Sequence, residues 1–173
     1  MYSAEEETFL AGQRARVEQF LRAHEIPFRL EEHERVFTVE AAERATGHLA
    51  GLHIKNLVLK SKRGERWLVV MPAAAPVDLK RLAAQLGAGG GLRFAPATLL
   101  REALGVLPGS VNPFCVLFDE ERRVRLAVGA ELLARPEAVL WAHAGSNDCT
   151  AGLAAGALLD FFRACKREWT EVR

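Results

Sequence analysis

At 173 residues with a formal net charge of +1, the chain is long enough for one sizeable hydrophobic core and short for two. Half of it is hydrophobic and 26% is charged, the make-up of an ordinary globular domain in solution. That balance excludes a protein that coats nucleic acid through a strong global positive field, though not brief contact with one RNA end through a local basic patch.

The opening Ser3 to Glu25 reads as one helix. Glu5, Glu6 and Glu7 suit its positive end, Leu10, Val17, Phe20 and Leu21 recur at helical spacing, and Pro27 ends it. Short apolar runs follow at Phe28 to Leu30, Val36 to Val39, Leu57 to Leu59 and Trp67 to Met71, all strand-like. Lys62-Arg63-Gly64-Glu65 is expected to turn a hairpin between the last two. Asp78 is a suitable N-cap for a helix through Leu79, Leu82 and Leu86 that stops at Gly87. The glycine-rich run Gly87 to Gly91 lacks the Lys-Ser/Thr ending of a phosphate-binding loop and follows a helix, so it reads as a helix stop and turn. Leu92 to Phe94 is a brief strand and Pro96 to Leu104 a short helix. Phe114 to Phe118 and Val124 to Val128 are expected to pair as a hairpin about Asp119 to Arg122. Val139 to Trp141 is a further strand, and a helix from about Leu153 to Lys166 closes the chain. With no linker, repeat or low-complexity segment, the reading is one α+β domain spanning residues 1–173, its first 25 residues an N-terminal helix. Hairpins dominate, so the sheet is expected to be mixed and mostly antiparallel, flanked by helices, rather than doubly wound.

No apolar stretch reaches membrane-spanning length and the start is acidic, so neither a membrane partner nor a signal peptide is expected. Cys115, Cys149 and Cys165 are odd in number and form no C-x-x-C pair, which favours reduced thiols in an intracellular, cytoplasmic setting. The five histidines never fall into metal-ligand spacing, and no metal is expected.

Three polar motifs end apolar runs, where a strand delivers side chains or N–H groups to the mouth of a cleft. In His53-Ile54-Lys55-Asn56, Lys55 is either a solvated strand end or an ammonium that binds phosphate or polarises a carbonyl. Asn56 beside it caps a turn or offers a donor and an acceptor at once. In Gly109-Ser110-Val111-Asn112-Pro113-Phe114, turn chemistry alone accounts for Pro108-Gly109 and for Pro113 opening a strand. The functional reading is a glycine that lets the backbone approach a ligand, with N–H groups aimed at an oxyanion. His143, Asn147 and Thr150 form either a plain loop or an imidazole and an amide brought to one ligand. Ser110, His143 and an acid could be written as a triad, but there is no G-x-S-x-G elbow. The Glu31-Glu32-His33-Glu34 cluster is read as a solvated turn.

Together and in this order, the motifs resemble the free-standing aminoacyl-tRNA editing domains of the YbaK/ProX family. Val36-Phe37-Thr38-Val39-Glu40 after His33 is similar to the family's early strand-to-helix signature. Lys55-Asn56-Leu57 is similar to its Lys-Asn-Leu strand, Gly109 to Pro113 to its Gly-x-x-x-Pro loop, and His143-x-x-x-Asn147-x-x-Thr150 to its late segment. The similarity runs from about Phe28 to Phe162. It looks greatest to the branch that clears alanine mischarged onto proline tRNA, with one departure: many relatives have proline directly after the histidine, where this chain has Ala144-Gly145.

The resemblance implies a YbaK-like arrangement and hydrolysis of the ester joining an amino acid to the terminal ribose of tRNA, without cofactor. Such an ester, beside a ribose hydroxyl, needs little covalent help, so positioned water and electrostatic stabilisation suffice. Lys55 would anchor the tRNA end or its phosphate, Asn56 and His143 would orient the substrate, and the Gly109 loop would supply backbone donors. Ser110, Val111, Asn112, Pro113, Asn147 and Thr150 would line the substrate, in a cavity that admits alanine and rejects proline. The implied partners are mischarged tRNA, through its acceptor end, and prolyl-tRNA synthetase, with no DNA. The alternatives are removal of cysteine, serine or threonine from tRNA, and a non-catalytic module that binds tRNA or a synthetase.

Overall fold

The computed structural model describes residues 2–173, leaving aside the side chains of Val39 and Glu43. Helix α1 (Ala4–Ala23) opens on a capping box in which Ser3 and Glu6 each accept from the other's backbone N–H. This satisfies two otherwise orphaned helix-end donors. Its buried stripe carries Leu10, Val17 and Leu21, and the helix gives out at His24, ahead of Pro27.

The remaining elements are β1 (Arg29–Glu32), α2 (Val39–Thr46), β2 (Leu52–Ser61), β3 (Arg66–Pro72), α3 (Leu79–Gln85), β4 (Leu92–Phe94) and α4 (Ala97–Leu104). A 3₁₀ helix over Pro113–Phe118 then leads to β5 (Val124–Gly129), α5 (Ala130–Leu133), β6 (Val139–His143), β7 (Cys149–Ala154), α6 (Ala155–Ala164) and β8 (Trp169–Val172). The eight strands form one sheet in the order β1-β7-β6-β2-β3-β5-β8, with β4 also on β2. Pairs β1–β7, β6–β7, β2–β3 and β2–β4 are antiparallel. Pairs β2–β6, β3–β5 and β5–β8 are parallel. The fold is therefore the expected α+β domain with a mixed, mostly antiparallel sheet.

Alternation along the strands sends side chains to two cores. Val58, Leu68, Val70, Leu126, Val128, Leu140 and Ala151 face the larger one, with residues of α1, α4, the 3₁₀ helix and α6. Leu59, Trp67, Val69, Met71 and Ala127 face a smaller one under α3. The β2–β3 hairpin, the Asp78 cap and the Gly87 stop fall where the sequence places them.

Three expectations are corrected. Residues 36–38 form no strand, and Val39 begins α2. Phe114 to Phe118 is not half of a hairpin, because the Asn112 carboxamide accepts from Phe114 N and Pro113 starts a helical turn, a combination of N-cap and first-turn proline that favours helix. Strand β5 accordingly pairs in parallel with β3 and β8. Leu153 belongs to β7, and α6 begins only at Ala155.

What holds the 3₁₀ helix, β5 and the α6–β8 connection together is a buried ion pair. Arg167 Nη2 lies 2.7 Å from Asp119 Oδ2 and also donates to the Val116 and Asp119 carbonyls. The Asp119 carboxylate in turn accepts from Arg123 N and Val124 N. Both side chains are almost wholly buried, so removing one strands the other's charge. Arg167→Ala should cost about 3–5 kcal/mol in urea unfolding. Arg163→Ala, which breaks the exposed pair with Asp160, should cost under about 1 kcal/mol.

Candidate active site

Strand β2 serves three partners. One edge pairs with β3 from Ile54 to Lys60. The other pairs with β6 only at Leu52 and His53, and with β4 only from Leu59 to Ser61. Between them, from Ile54 to Leu57, no strand among the described residues covers that edge. Strands β2 and β6 therefore part beyond the His53–Trp141 pair and leave a fork. Lys55 and His143 each lie two residues past that pair, so period-two alternation puts both on one face of the sheet.

Thr150 stands opposite His143 in the β6–β7 ladder and is 3% exposed. His33, supplied by the segment after β1, completes the cluster. Its Nδ1 lies 2.8 Å from the Glu34 carbonyl and its Nε2 2.9 Å from Thr150 Oγ1. A carbonyl only accepts, so in the neutral ring the proton sits on Nδ1 and Nε2 accepts from the threonine hydroxyl. The His33 and His143 rings are 6.2 Å apart. Burial, reinforced by His33, pushes the His143 imidazole down to about 4, against a weaker opposing pull from Asp148. His143 is therefore neutral near pH 7. Lys55 Nζ donates to the Ala73 and Ala75 carbonyls of the β3–α3 connection, leaving one of its three donors free.

A second set of groups closes the end of the β6–β7 hairpin. Asn147, fully buried, donates from Nδ2 to Val36 O at 2.6 Å and accepts at Oδ1 from Arg35. Arg35 also pairs with Asp148 at 2.7 Å. Gly109 sits here with φ +88°, and a Cβ there would face Tyr2 Oη, Asn147 Nδ2 and Phe37 Cδ1 at 3.4–3.9 Å. Tyr2 donates to the Pro108 carbonyl and packs its ring on Phe37. Where many relatives are expected to carry proline, Ala144 donates its N–H to Cys149 O to close the hairpin. Gly145, at φ +86°, packs so tightly on α1 that a Cβ would fall 2.8 Å from Arg14 N.

Not every predicted residue joins the fork. Asn56 has the parity of Ile54 and Val58 and points to the opposite face from Lys55; its Oδ1 is buried without a partner among the described residues. Ser110 is fully buried and bonds both the N–H and the carbonyl of Leu107. Asn112 bonds Ser110 O and Phe114 N, Val111 packs on the larger core, and Pro113 is buried at the helix start. These four shape the loop. The N–H groups of Ser110, Phe114 and Cys115 are likewise engaged inside it. Sequence reasoning missed His33 as a site residue, and with it Arg35, Phe37 and Tyr2; the signal available was His33 standing just ahead of the Val36-Phe37-Thr38 run.

The thiols offer no nucleophile. Burial raises Cys149 to about 11, Cys165 to about 11 and Cys115 to about 12, and Cys149 faces the larger core. The arrangement defines a small α+β domain in which a lysine and a neutral imidazole share one face of the sheet beside a fork between strands, groups able to hold and polarise an ester or phosphate. Residues 33–161 match the family model for the aminoacyl-tRNA editing domain, and the chain belongs to that family. It is 36% identical to prolyl-tRNA synthetase associated domain-containing protein 1 of Danio rerio, over 86% of this chain and 80% of that one. It is 32% identical to the prolyl-tRNA editing protein ProX of Acetoanaerobium sticklandii, over 72% and 75%. A crystal structure of a proposed trans-editing enzyme for prolyl tRNA synthetase shares the fold, with TM-score 0.68 at 20% identity over 93% of this chain and 96% of that one.

Burial of the His143 imidazole links its protonation to the stability of the fold. The folded state binds this proton less readily than the unfolded chain, so its contribution to stability is whole above about pH 6.5 and is lost as pH falls toward 4. His143→Gln should therefore lose less stability than the wild type between those values, and the His143 ring resonances should titrate near 4.

Proposed function

We propose that the chain is a free-standing editing enzyme that hydrolyses the ester of alanine mischarged onto proline tRNA. The observation that carries this reading is the shared face of Lys55 and neutral His143 at the fork, within a chain of the editing family. The prolyl-tRNA names of its relatives support the choice of tRNA.

The free donor of Lys55 meets either the ester carbonyl or the terminal phosphate, where charge-assisted bonds are strong. His143 enters as the uncharged base, able to accept a proton from the attacking water or from the neighbouring ribose hydroxyl. His33 and Thr150 fix the floor beneath it. Water is the nucleophile, because the Ser110 hydroxyl is spent inside its own loop and the thiols are protonated. A Cβ at Gly109 would face Tyr2, Phe37 and Asn147, and this corner is our candidate for the amino-acid pocket, where one added group decides which amino acid fits. Asn56, on the far face, supports β2 rather than the substrate.

Purified protein should release alanine from alanyl-tRNA of the proline acceptor, spare the prolyl ester, and keep its rate after treatment with chelator. Lys55→Ala should fold normally and lower kcat/KM at least about tenfold, equivalent to roughly 1.4 kcal/mol. Cysteinyl, seryl and threonyl esters assayed alongside give the amino-acid preference; no turnover on any of them would defeat the hydrolase reading. With a base that titrates near 4, kcat/KM should stay flat between about pH 5 and 7 instead of falling around 6.5, the ordinary histidine value.

A further inference from the structure

Away from the fork, the far end of β2 gathers cations that no acid neutralises. Arg93, Lys60 and Arg66 stand directly opposite one another across β4, β2 and β3, at strand spacings of about 4.8 Å. Like charges placed so are destabilising, yet none of the three has a salt bridge among the described residues. Lys62 and Arg63, exposed in the adjoining turn, have none either. The nearest acid in sequence, Glu65, is taken by Arg125 at 2.8 Å and by Ser61 Oγ.

The glycine-rich run explains how these charges come together. A Cβ at Gly89 would fall 2.5 Å from Arg63 Nε, and one at Gly90 2.9 Å from Lys62 Cβ. The run is thus a bed without side chains that lets the basic turn lie close beside β4. Unpaired cations gathered at one end of a sheet are what a nucleic-acid backbone requires: charge for its phosphates.

We propose that this end of the sheet, built from Lys60, Lys62, Arg63, Arg66 and Arg93, is the docking surface for the sugar-phosphate backbone of the tRNA acceptor arm. The inference rests on the editing function proposed above. Lys60 lies five residues along β2 from Lys55, about 17 Å at strand rise and, by that odd step, on the opposite face. A single-stranded RNA end can pass round the β2 edge that no strand among the described residues covers between Ile54 and Leu57 to bring its terminal ester to the fork while the stem is held at the basic end. A net charge of +1 is compatible with this, because the positive potential is local.

The test is the salt dependence of binding to deacylated proline tRNA, which involves no chemistry. Combining Lys60→Gln, Arg66→Gln and Arg93→Gln should reduce the slope of log affinity against log salt by about two to three, at roughly 0.7–0.9 per lost phosphate contact. Lys62→Gln with Arg63→Gln, in a turn outside the sheet, should reduce it by about one to two and decides the matter if the triple variant does not fold. Wild-type affinity and slope in the folded charge variants would overturn the proposal. The hydrolase reading is judged separately, by whether the wild type cleaves an alanyl ester on a CCA trinucleotide, which has no stem. If it does not, while the charge variants still lose tRNA binding, that reading fails and the surface stands.

Discussion

The site depends on the constraint that β2 cannot pair along the whole of both edges. One edge is committed to β3 over seven residues. The other is shared between β6 and β4 at its two ends, and the interval between them is the fork. A continuous β2–β6 ladder would bring the next rows into register and fill the space that Lys55 and His143 overlook. Lys55 itself spans to the β3–α3 connection through the Ala73 and Ala75 carbonyls, so the residue offered to a ligand also keeps the wall in place. At the other margin, Asn147 and Arg35 tie the hairpin end to residues 35 and 36. The opening is thus fixed from both sides by side-chain hydrogen bonds, to backbone carbonyls at Ala73, Ala75 and Val36 and between Arg35 and Asn147.

Local signals in the sequence were reliable because their physics is local. Glu5 to Glu7 in the first turn of α1, Asp78 before Leu79, and Gly87 after α3 act within a few residues of themselves. The parallel pairs β3–β5 and β5–β8 join segments far apart in the chain, and no turn residue announces them. Phe114 to Phe118 reads as a strand by composition, and only the Asn112 cap with Pro113 reveals a helical turn. Strand β7 was hidden because Cys149 to Ala154 is made of small residues, with Gly152 yielding room to the Trp141 ring.

The candidate site was legible as motifs and not as geometry. Of the suspected residues, His143 and Thr150 stand opposite each other in the β6–β7 ladder, and Lys55 shares their face of the sheet. Asn56 was grouped with Lys55, although neighbours in a strand face opposite ways, and that correction needed only the strand assignment already in hand. His33 was set aside within an acidic cluster, since nothing in Glu31 to Glu34 says that its ring will reach a threonine more than a hundred positions away. Polar residues in the Gly109 loop look functional in sequence because buried self-bonding and ligand binding call for the same residue types. Ser110 and Asn112 are of the first kind.

On the proposed function, the substrate end enters the fork between β2 and β6 and meets Lys55 and His143 on one face. The most direct measurement is NMR titration with a non-hydrolysable alanyl-adenosine amide. Resonances of His143, His33, Thr150 and the Lys55 side chain should shift together on one binding curve, with those of Ser110 and Asn112 nearly still. Shifts centred on Asn56, Ser110 and Asn112, with His143 and Lys55 unmoved, would place the ligand on the other face and contradict it.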